Sequence, residues 1–237
     1  AGFTKGMTEL SRQAGCPLLG GDTTRTAKVG DIHAPVTISI TAMGELPQSM
    51  GLTRAGARPG DDIWVSGCVG GAWAALMHRW GKLTLDARVF PSAALAMDRP
   101  NPRNALGTAL LSSATACADI SDGLAQDLGH ILERSGVDAD VLWDAVPKHP
   151  ALAALSQEQQ VEAAMSGGDD YELVFTAPAD KRGLIEQASI SALTPVTRIG
   201  RIIEKKQSGA PLAIRDASGR PLFLPVQGFD HFAQGAD

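Results

Sequence analysis

The sequence predicts an α/β protein built from mixed sheets and packed helices. Segments with strand-like alternation of apolar and polar residues are interspersed with segments whose apolar residues recur at helical spacing. Glycine and proline mark most of the junctions between them. The chain of 237 residues is 44% hydrophobic and 20% charged. That composition is ordinary for globular proteins, and the length is enough for one large domain or two modest ones.

The first part of the chain predicts one helix and one strand. Apolar residues recur at helical spacing over residues 3–15, and Gly15 and Pro17 end that pattern. Residues 36–41 alternate strictly between apolar and small polar side chains. This alternation predicts a strand with one buried face.

A loop rich in glycine and proline separates these elements from the rest of the chain. It covers residues 44–60, and this composition is typical of a linker or a domain boundary. We therefore expect the rear part of an amino-terminal domain over residues 1–55 and a more complete α/β domain over residues 56–237.

The second part of the chain alternates strands with helices. Strands are predicted at residues 62–66, near 117–118, and at 140–143, 171–176, 196–203 and 212–215. Helices are predicted at residues 72–80, 104–114, 121–134, 157–165 and 179–189, and a closing hairpin turns at 216–219. In helix 121–134, Ser121 is the expected N-cap and Gly136 the expected stop.

Composition and spacing exclude several classes of protein. The chain has 21 basic and 26 acidic residues, a net charge of -5, which argues against a broad surface for nucleic acid. No apolar run approaches the roughly eighteen residues of a membrane helix. The three cysteines lack metal-type spacing, so we expect a reducing, cytoplasmic location. Leu83 follows Gly81 and Lys82, so this is no P-loop.

Aspartates in glycine-bearing turns are the candidates for chemistry. If residues 117–120 are extended, Asp119 and Ser121 point the same way, and Asp122 lies in the first turn of the next helix. If Ser121 caps the helix and Asp122 interacts with the helix dipole, the presence of these two residues is explained by about 0.5 to 2 kcal/mol of stabilisation. A Mg²⁺ ion would explain all three, because it takes one or two protein carboxylates together with waters and phosphates. Both interpretations stay open.

Two further glycine-bearing turns also contain aspartates. Asp22 lies in the sequence Gly-Gly-Asp-Thr-Thr at residues 20–24, where a hydrogen-bonded Asx turn is the alternative interpretation. Asp169 and Asp170 follow Gly168 just before a predicted strand. Adjacent side chains of an extended segment point apart, so we expect at most one of them to face a site and the other to be solvated or to cap.

Five stretches, in this order, resemble the thiamine-monophosphate kinases, a family of the aminoimidazole-ribonucleotide-synthetase-like superfamily of ATP-using enzymes. The stretches are residues 20–24, 52–61 (Leu-Thr-Arg-Ala-Gly-Ala-Arg-Pro-Gly-Asp), 119–124 (Asp-Ile-Ser-Asp-Gly-Leu) with 127–130 (Asp-Leu-Gly-His), 166–173 (Ser-Gly-Gly-Asp-Asp-Tyr-Glu-Leu) and 228–232 (Gly-Phe-Asp-His-Phe). Each stretch is a weak signal alone. Their order and spacing over nearly the whole chain make the resemblance specific.

The resemblance implies Mg²⁺-dependent transfer of the γ-phosphoryl group of ATP to thiamine monophosphate by a homodimer. It implies that ATP is contacted by Gly21, Asp22, Arg54 and Ser121. It implies that Mg²⁺ is coordinated by Asp22, Asp119 and Asp122. It also implies that thiamine monophosphate is contacted by Asp169 and Phe229. Asp122 and Arg54 are the implied catalytic residues. The acceptor phosphate is largely deprotonated near neutral pH and needs no general base. Cations must instead offset the repulsion between two anions.

The resemblance also implies an acidic Gly-Asp-Asp-Ala motif ahead of residue 1, so we expect this chain to be a shortened form. Two other interpretations stay open. One is another ATP-activating enzyme of the same superfamily, such as a ligase that forms an imidazole ring or a selenophosphate synthase. The other is a catalytically silent nucleotide-binding or dimerising domain, which an exposed edge of strand 36–41 would favour.

Overall fold

The computed structural model describes residues 2–30, 32–33, 35–46 and 51–222. The chain divides into two units, Ala1–Ser49 and Met50–Asp237. No helix in the described part of the chain is both long and apolar enough to cross a membrane.

The first unit contains one helix and one small sheet. Helix α1 (Gly2–Gln13) confirms the helix predicted at residues 3–15, and Gly15 follows it with a positive φ of 63°. None of the described α1 side chains is buried. Strands β1 (Lys28–Val29) and β2 (Ile32–His33) pair antiparallel.

The strand predicted at residues 36–41 is wrong. The described residues 35–46 adopt no regular secondary structure, and Val36, Ile38 and Ile40 are exposed. A strand needs a neighbouring backbone to pair its N–H and C=O groups. Among the described residues of the first unit, β1 and β2 pair only with each other. The alternation therefore marks exposed apolar surface in this unit.

The second unit is built on one mixed sheet of six strands. The strands are β3 (Asp62–Ser66), β4 (Ala116–Ile120), β5 (Asp138–Leu142), β6 (Glu172–Ala177), β7 (Val196–Ile203) and β8 (Leu212–Arg215). Their order is β4-β6-β3-β7-β5-β8. The pair β5 and β8 is parallel, and the other neighbours are antiparallel. The α/β fold with mixed sheets is therefore confirmed.

Six helices accompany this sheet in the described residues. They are α2 (Gly71–Arg79), α3 (Phe90–Asp98), α4 (Asn104–Leu110), α5 (Leu124–Ser135), α6 (Gln157–Ser166) and α7 (Arg182–Ser191). Helix α3 was not predicted, although a proline in its first turn is a start signal. The predicted closing turn is confirmed, since the Gly219 N–H donates to the Asp216 carbonyl at 2.9 Å.

Alternation along the central strands places a hydrophobic core on each face of the sheet. Ile63 and Val65 of β3 pack in the same core as Leu128 of α5. Trp64 points the other way and packs with Phe175 in the core that holds residues of α4 and α7. The strands that carry the candidate residues are therefore fixed on both sides.

The predicted start of the fifth helix is wrong. Helix α5 begins at Leu124, and its N-cap is Gly123, with no side-chain cap hydrogen bond. Ser121 is therefore not the cap, and Asp122 precedes the helix. The physical reason is that Gly123 adopts φ 116° and ψ 145°, a conformation that few residues other than glycine adopt and that interrupts the helix path. The predicted stop is confirmed, because Gly136 is a left-handed C-cap.

Candidate active site

Two loops meet at one end of the sheet and carry three of the predicted site residues, Ser121, Asp122 and Asp169. Strands β4 and β6 are antiparallel and pair Ile120 with Glu172, so the loop after β4 lies beside the loop before β6. The Asp169 N–H donates to the Ser121 carbonyl at 2.8 Å, and the Tyr171 N–H donates to the Ile120 carbonyl at 2.8 Å. The structure thus brings the 119–124 and 166–173 stretches together.

Close approach of the two loops explains a glycine between them. At Gly168, with φ 66°, an added Cβ would lie 2.6 Å from the Ser121 carbonyl oxygen. Asp169 and Tyr171 also have positive φ, at 59° and 50°. Left-handed backbone is unfavourable for a bulky side chain such as tyrosine, by about 1 kcal/mol or more. The loop is therefore held in place by its surroundings.

Asp127 holds the backbone of the loop after β4. One of its carboxylate oxygens, Oδ2, accepts the N–H groups of Ser121 and Asp122, each at 3.0 Å. The residue is 1% exposed. Burial raises the pKa of Asp127, and the neighbouring charges of Asp122 and Asp119 raise it further. The two hydrogen bonds from backbone N–H groups lower this pKa, but the net shift is upward. The sequence stretch contains Asp127, but we predicted no role for it.

Three carboxylates act on the hydroxyl of Tyr171, and we call Asp119, Asp122 and Asp169 the acidic cluster. Tyr171 donates to Asp169 Oδ1 at 3.1 Å. Its pKa is raised by burial first, then by Asp169, and also by the charges of Asp119 and Asp122. Asp169 is exposed and Asp122 is half-buried. Such a group of like charges is unfavourable without a cation.

Arg54 is the cation beside this cluster. Its Nη2 lies 3.9 Å from Asp119 Oδ1, and both side chains are 52% exposed. A pair this long and this exposed contributes little to stability, so Arg54 remains available to other anions. Its segment is anchored to the edge strand, because the Cys117 N–H donates to the Thr53 carbonyl at 2.9 Å.

Of the adjacent aspartates before β6, Asp169 faces outward and Asp170 turns inward. The two carboxylate oxygens of Asp170 accept the Gly70 N–H, each at 2.9 Å, at the N-cap of α2. Burial, followed by the charges of Glu172 and Asp169, raises the pKa of Asp170 to about 7. Asp170 therefore caps a helix, and Asp169 is the member of the pair that can meet a ligand.

A buried ion pair lies under the same loop, and the sequence reasoning missed it. Arg103 donates from Nε to Glu172 Oε2 at 2.6 Å and from Nη2 to Oε1. The Ser66 hydroxyl also donates to Oε2 at 2.5 Å. Glu172 belongs to the 166–173 stretch, which could have drawn attention to it. Arg103 lies in no motif, so no local signal pointed to the pair.

The remaining predicted residues lie elsewhere in the chain. Gly21 and Asp22 belong to the first unit, where Asp22 Oδ1 accepts the Thr23 N–H at 2.8 Å. Phe229 lies outside the described residues. The second unit therefore gathers Arg54, Asp119, Ser121, Asp122 and Asp169.

An open groove of about 480 Å³ lies on another part of the second unit. It is bordered by β5, β7 and β8, and its charged lining includes Asp140, Arg198, Arg201 and Arg215. None of the acidic-cluster residues lines it.

Comparison with known proteins defines the class of this fold and site. Residues 58–212 match the family described as AIR synthase related protein, C-terminal domain, and residues 1–46 match its N-terminal domain. The protein is thus an AIR-synthase-related α/β protein. Thiamine-monophosphate kinase of Haemophilus influenzae is 37% identical over 236 residues, which cover 98% of this chain and 68% of that protein. The chain belongs to the thiamine-monophosphate kinase family, a family of phosphotransferases.

Solved structures agree with this assignment. The thiamine-monophosphate kinase of Stenotrophomonas maltophilia matches with a TM-score of 0.65 and 40% identity, over 71% of this chain and 54% of that one. AaThiL complexed with AMPPCP and TMP matches with a TM-score of 0.60 and 27% identity, over 76% of this chain and 54% of that one. The chain therefore aligns with about half the length of these solved structures.

Proposed function

We propose that the full-length protein transfers the γ-phosphoryl group of ATP to thiamine monophosphate and forms thiamine diphosphate, with Mg²⁺. The acidic cluster beside Arg54 is the observation that carries this proposal, because it combines carboxylates for a cation with a guanidinium for phosphate. Family membership supports it, and the related AaThiL is complexed with AMPPCP, an ATP analogue, and TMP.

The donor set fits Mg²⁺. Asp119 and Asp122 offer carboxylate oxygens at a partly exposed place, where waters and phosphates can complete the shell of a hard cation. We propose that these two residues hold the metal, and the family resemblance implies the same role for Asp22, which belongs to the first unit. When bound, Mg²⁺ supplies the positive charge that offsets repulsion between the donor and acceptor phosphates.

The residues of the chain position the reactants. Arg54 presents a planar fork of donors to phosphate oxygens, and Gly21, Asp22 and Ser121 contact ATP. Asp127 keeps the backbone of Ser121 and Asp122 in place through its two N–H bonds.

On the acceptor side, Asp169 and Phe229 contact thiamine monophosphate. Because the acceptor phosphate is already largely deprotonated, no side chain in this scheme acts as a general base.

The assay for this proposal measures thiamine diphosphate formed by the full-length protein from ATP, Mg²⁺ and thiamine monophosphate. Asp122→Asn should remove most of the activity, while circular dichroism shows an intact fold. Asp86→Asn is the matched control, since Asp86 pairs with Arg88 at an exposed position. Unchanged turnover in Asp122→Asn would overturn the assignment of Asp122.

A silent nucleotide-binding domain remains the second candidate, because the first unit exposes apolar side chains such as Val36 and Ile40. Calorimetry separates the two, since a silent domain predicts no Mg²⁺-dependent binding of ATP by the full-length protein. We further propose that residues 1–55 and 56–237 belong to separate domains and that the protein is a cytoplasmic homodimer.

A further inference from the structure

We propose that Asp122, Asp127 and His130 form a second cation site, which binds a first-row transition-metal dication such as Zn²⁺. One carboxylate oxygen from each aspartate and one ring nitrogen of His130 lie within 4.8 Å of one another. The site shares Asp122 with the acidic cluster, but it requires neither ATP nor the proposed phosphoryl transfer.

Local structure brings these three side chains together before any ion binds. Asp127 and His130 are three residues apart on α5, so they share one face of that helix. Asp122 comes from the loop before the helix, and its N–H is held by Asp127 Oδ2 at 3.0 Å. A site prearranged in this way loses little entropy when a ligand binds.

An unpartnered buried atom points to a ligand at this place. Asp127 is 1% exposed, and its second carboxylate oxygen, Oδ1, has no hydrogen-bond partner among the described residues. A buried carboxylate oxygen without a partner is unfavourable. A bound cation would satisfy it, and the other oxygen would keep its two backbone N–H bonds.

The three side chains lie close enough together to share one ion. One ligand atom from each of Asp122, Asp127 and His130 lies within 4.8 Å of the others, and Oδ1 of Asp127 has no hydrogen-bond partner among the described residues. Two ligand atoms that are each about 2.1 Å from a tetrahedral Zn²⁺ are about 3.4 Å apart. Small side-chain movements therefore close the site around an ion.

The donor types select the kind of metal. Imidazole nitrogen favours zinc and neighbouring transition metals, whereas Mg²⁺ takes oxygen ligands. Two carboxylates balance the charge of a dication, and three protein ligands leave one position of a tetrahedral ion for water or another ligand. This set differs from the oxygen ligands proposed for Mg²⁺ in the acidic cluster.

The test is titration of the full-length protein with ZnCl₂ by calorimetry, without nucleotide and with millimolar Mg²⁺ present. We expect one Zn²⁺ per chain at this site. His130→Gln should weaken its binding about tenfold or more, whereas His33→Gln, the same substitution outside the cluster, should leave it unchanged. Equal affinity in His130→Gln, or no Zn²⁺ binding by the folded protein, overturns the proposal.

Two further measurements keep the test decisive if His130→Gln fails to fold. Asp127→Asn keeps a carbonyl oxygen for the two backbone N–H groups but removes the charge, so it should also weaken Zn²⁺ binding. X-ray absorption at the zinc edge should show nitrogen and oxygen ligands, and sulfur ligation from cysteine would contradict the site. Because no ATP is present, a negative result leaves the proposed phosphoryl transfer standing.

Discussion

Arg103 and Glu172 form a two-bond ion pair where β6 begins, directly after the loop that carries Asp169. Their side chains are 15% and 8% exposed, and Ser66 adds a hydrogen bond to the same carboxylate. Glu172 also fills the space over Gly67, where an added Cβ would lie 2.4 Å from its carboxyl carbon. The pair therefore connects β3, β6 and the start of α4 under the candidate site.

Removal of the arginine should be strongly destabilising. Arg103→Ala leaves the Glu172 carboxylate buried without its cation, and we expect the free energy of unfolding to fall by about 3 to 5 kcal/mol. Arg88→Ala breaks an exposed pair with Asp86 and should lower the free energy of unfolding far less. Urea denaturation followed by circular dichroism measures both values. Similar losses in the two variants would show that the buried pair has no special role.

Two glycines at the same helix should respond to alanine in opposite directions. At Gly123, with φ 116°, an added Cβ would lie 2.8 Å from the Ser166 Cα, so Gly123→Ala should cost about 1 to 3 kcal/mol. At Gly129, inside α5, an added Cβ would meet nothing within 4 Å. Gly129→Ala should stabilise by up to about 1 kcal/mol. Thermal melts of both variants measure these effects, and a shift of the same sign in both would contradict this account.

The half-buried Asp170 should make stability depend on pH. Its pKa is raised from 3.8 to about 7 in the folded chain, so the folded state binds the proton more tightly than the unfolded state. Stability is then lost as the pH rises from about 4 to about 7, with about 1.4 kcal/mol for each pKa unit. Asp170→Asn removes this loss.

The measurement for Asp170 compares unfolding free energies of the variant and the wild type across pH. Between about pH 5 and about pH 8, the variant should gain about 3 kcal/mol relative to the wild type. Parallel curves for the two proteins would mean that Asp170 titrates near its usual value.

Local patterns in the sequence predicted much of the fold. The strands at residues 62–66, 196–203 and 212–215 were confirmed with the same bounds, because each combines β-branched residues with clear breakers. The strand at 36–41 was wrong because alternation reports an amphipathic segment and not the presence of a pairing neighbour. Helix α3 has Pro91 as a start signal, but its residues are nearly all apolar or small, so no alternation of faces marks it as a helix.

The site was harder to predict because its key contacts join distant residues. Asp119 and Asp122 were found from their turn, but the role of Asp127 depends on a side chain folding back onto the backbone before its own helix. Arg103 and Glu172 are 69 residues apart, and no periodicity relates them. The Ser121 cap was wrong for a similar reason, since the conformation of Gly123 depends on close packing against α6.

The central claim is that this family member moves a phosphoryl group between two phosphates. In the most direct measurement, the full-length protein is incubated with Mg²⁺, thiamine monophosphate and ATP that is labelled at the γ-phosphate. The product that carries the label is then identified. We predict that the label appears in the terminal phosphate of thiamine diphosphate and that Asp122→Asn abolishes most of this transfer. Label found only in inorganic phosphate, or no Mg²⁺-dependent transfer at all, would contradict the account.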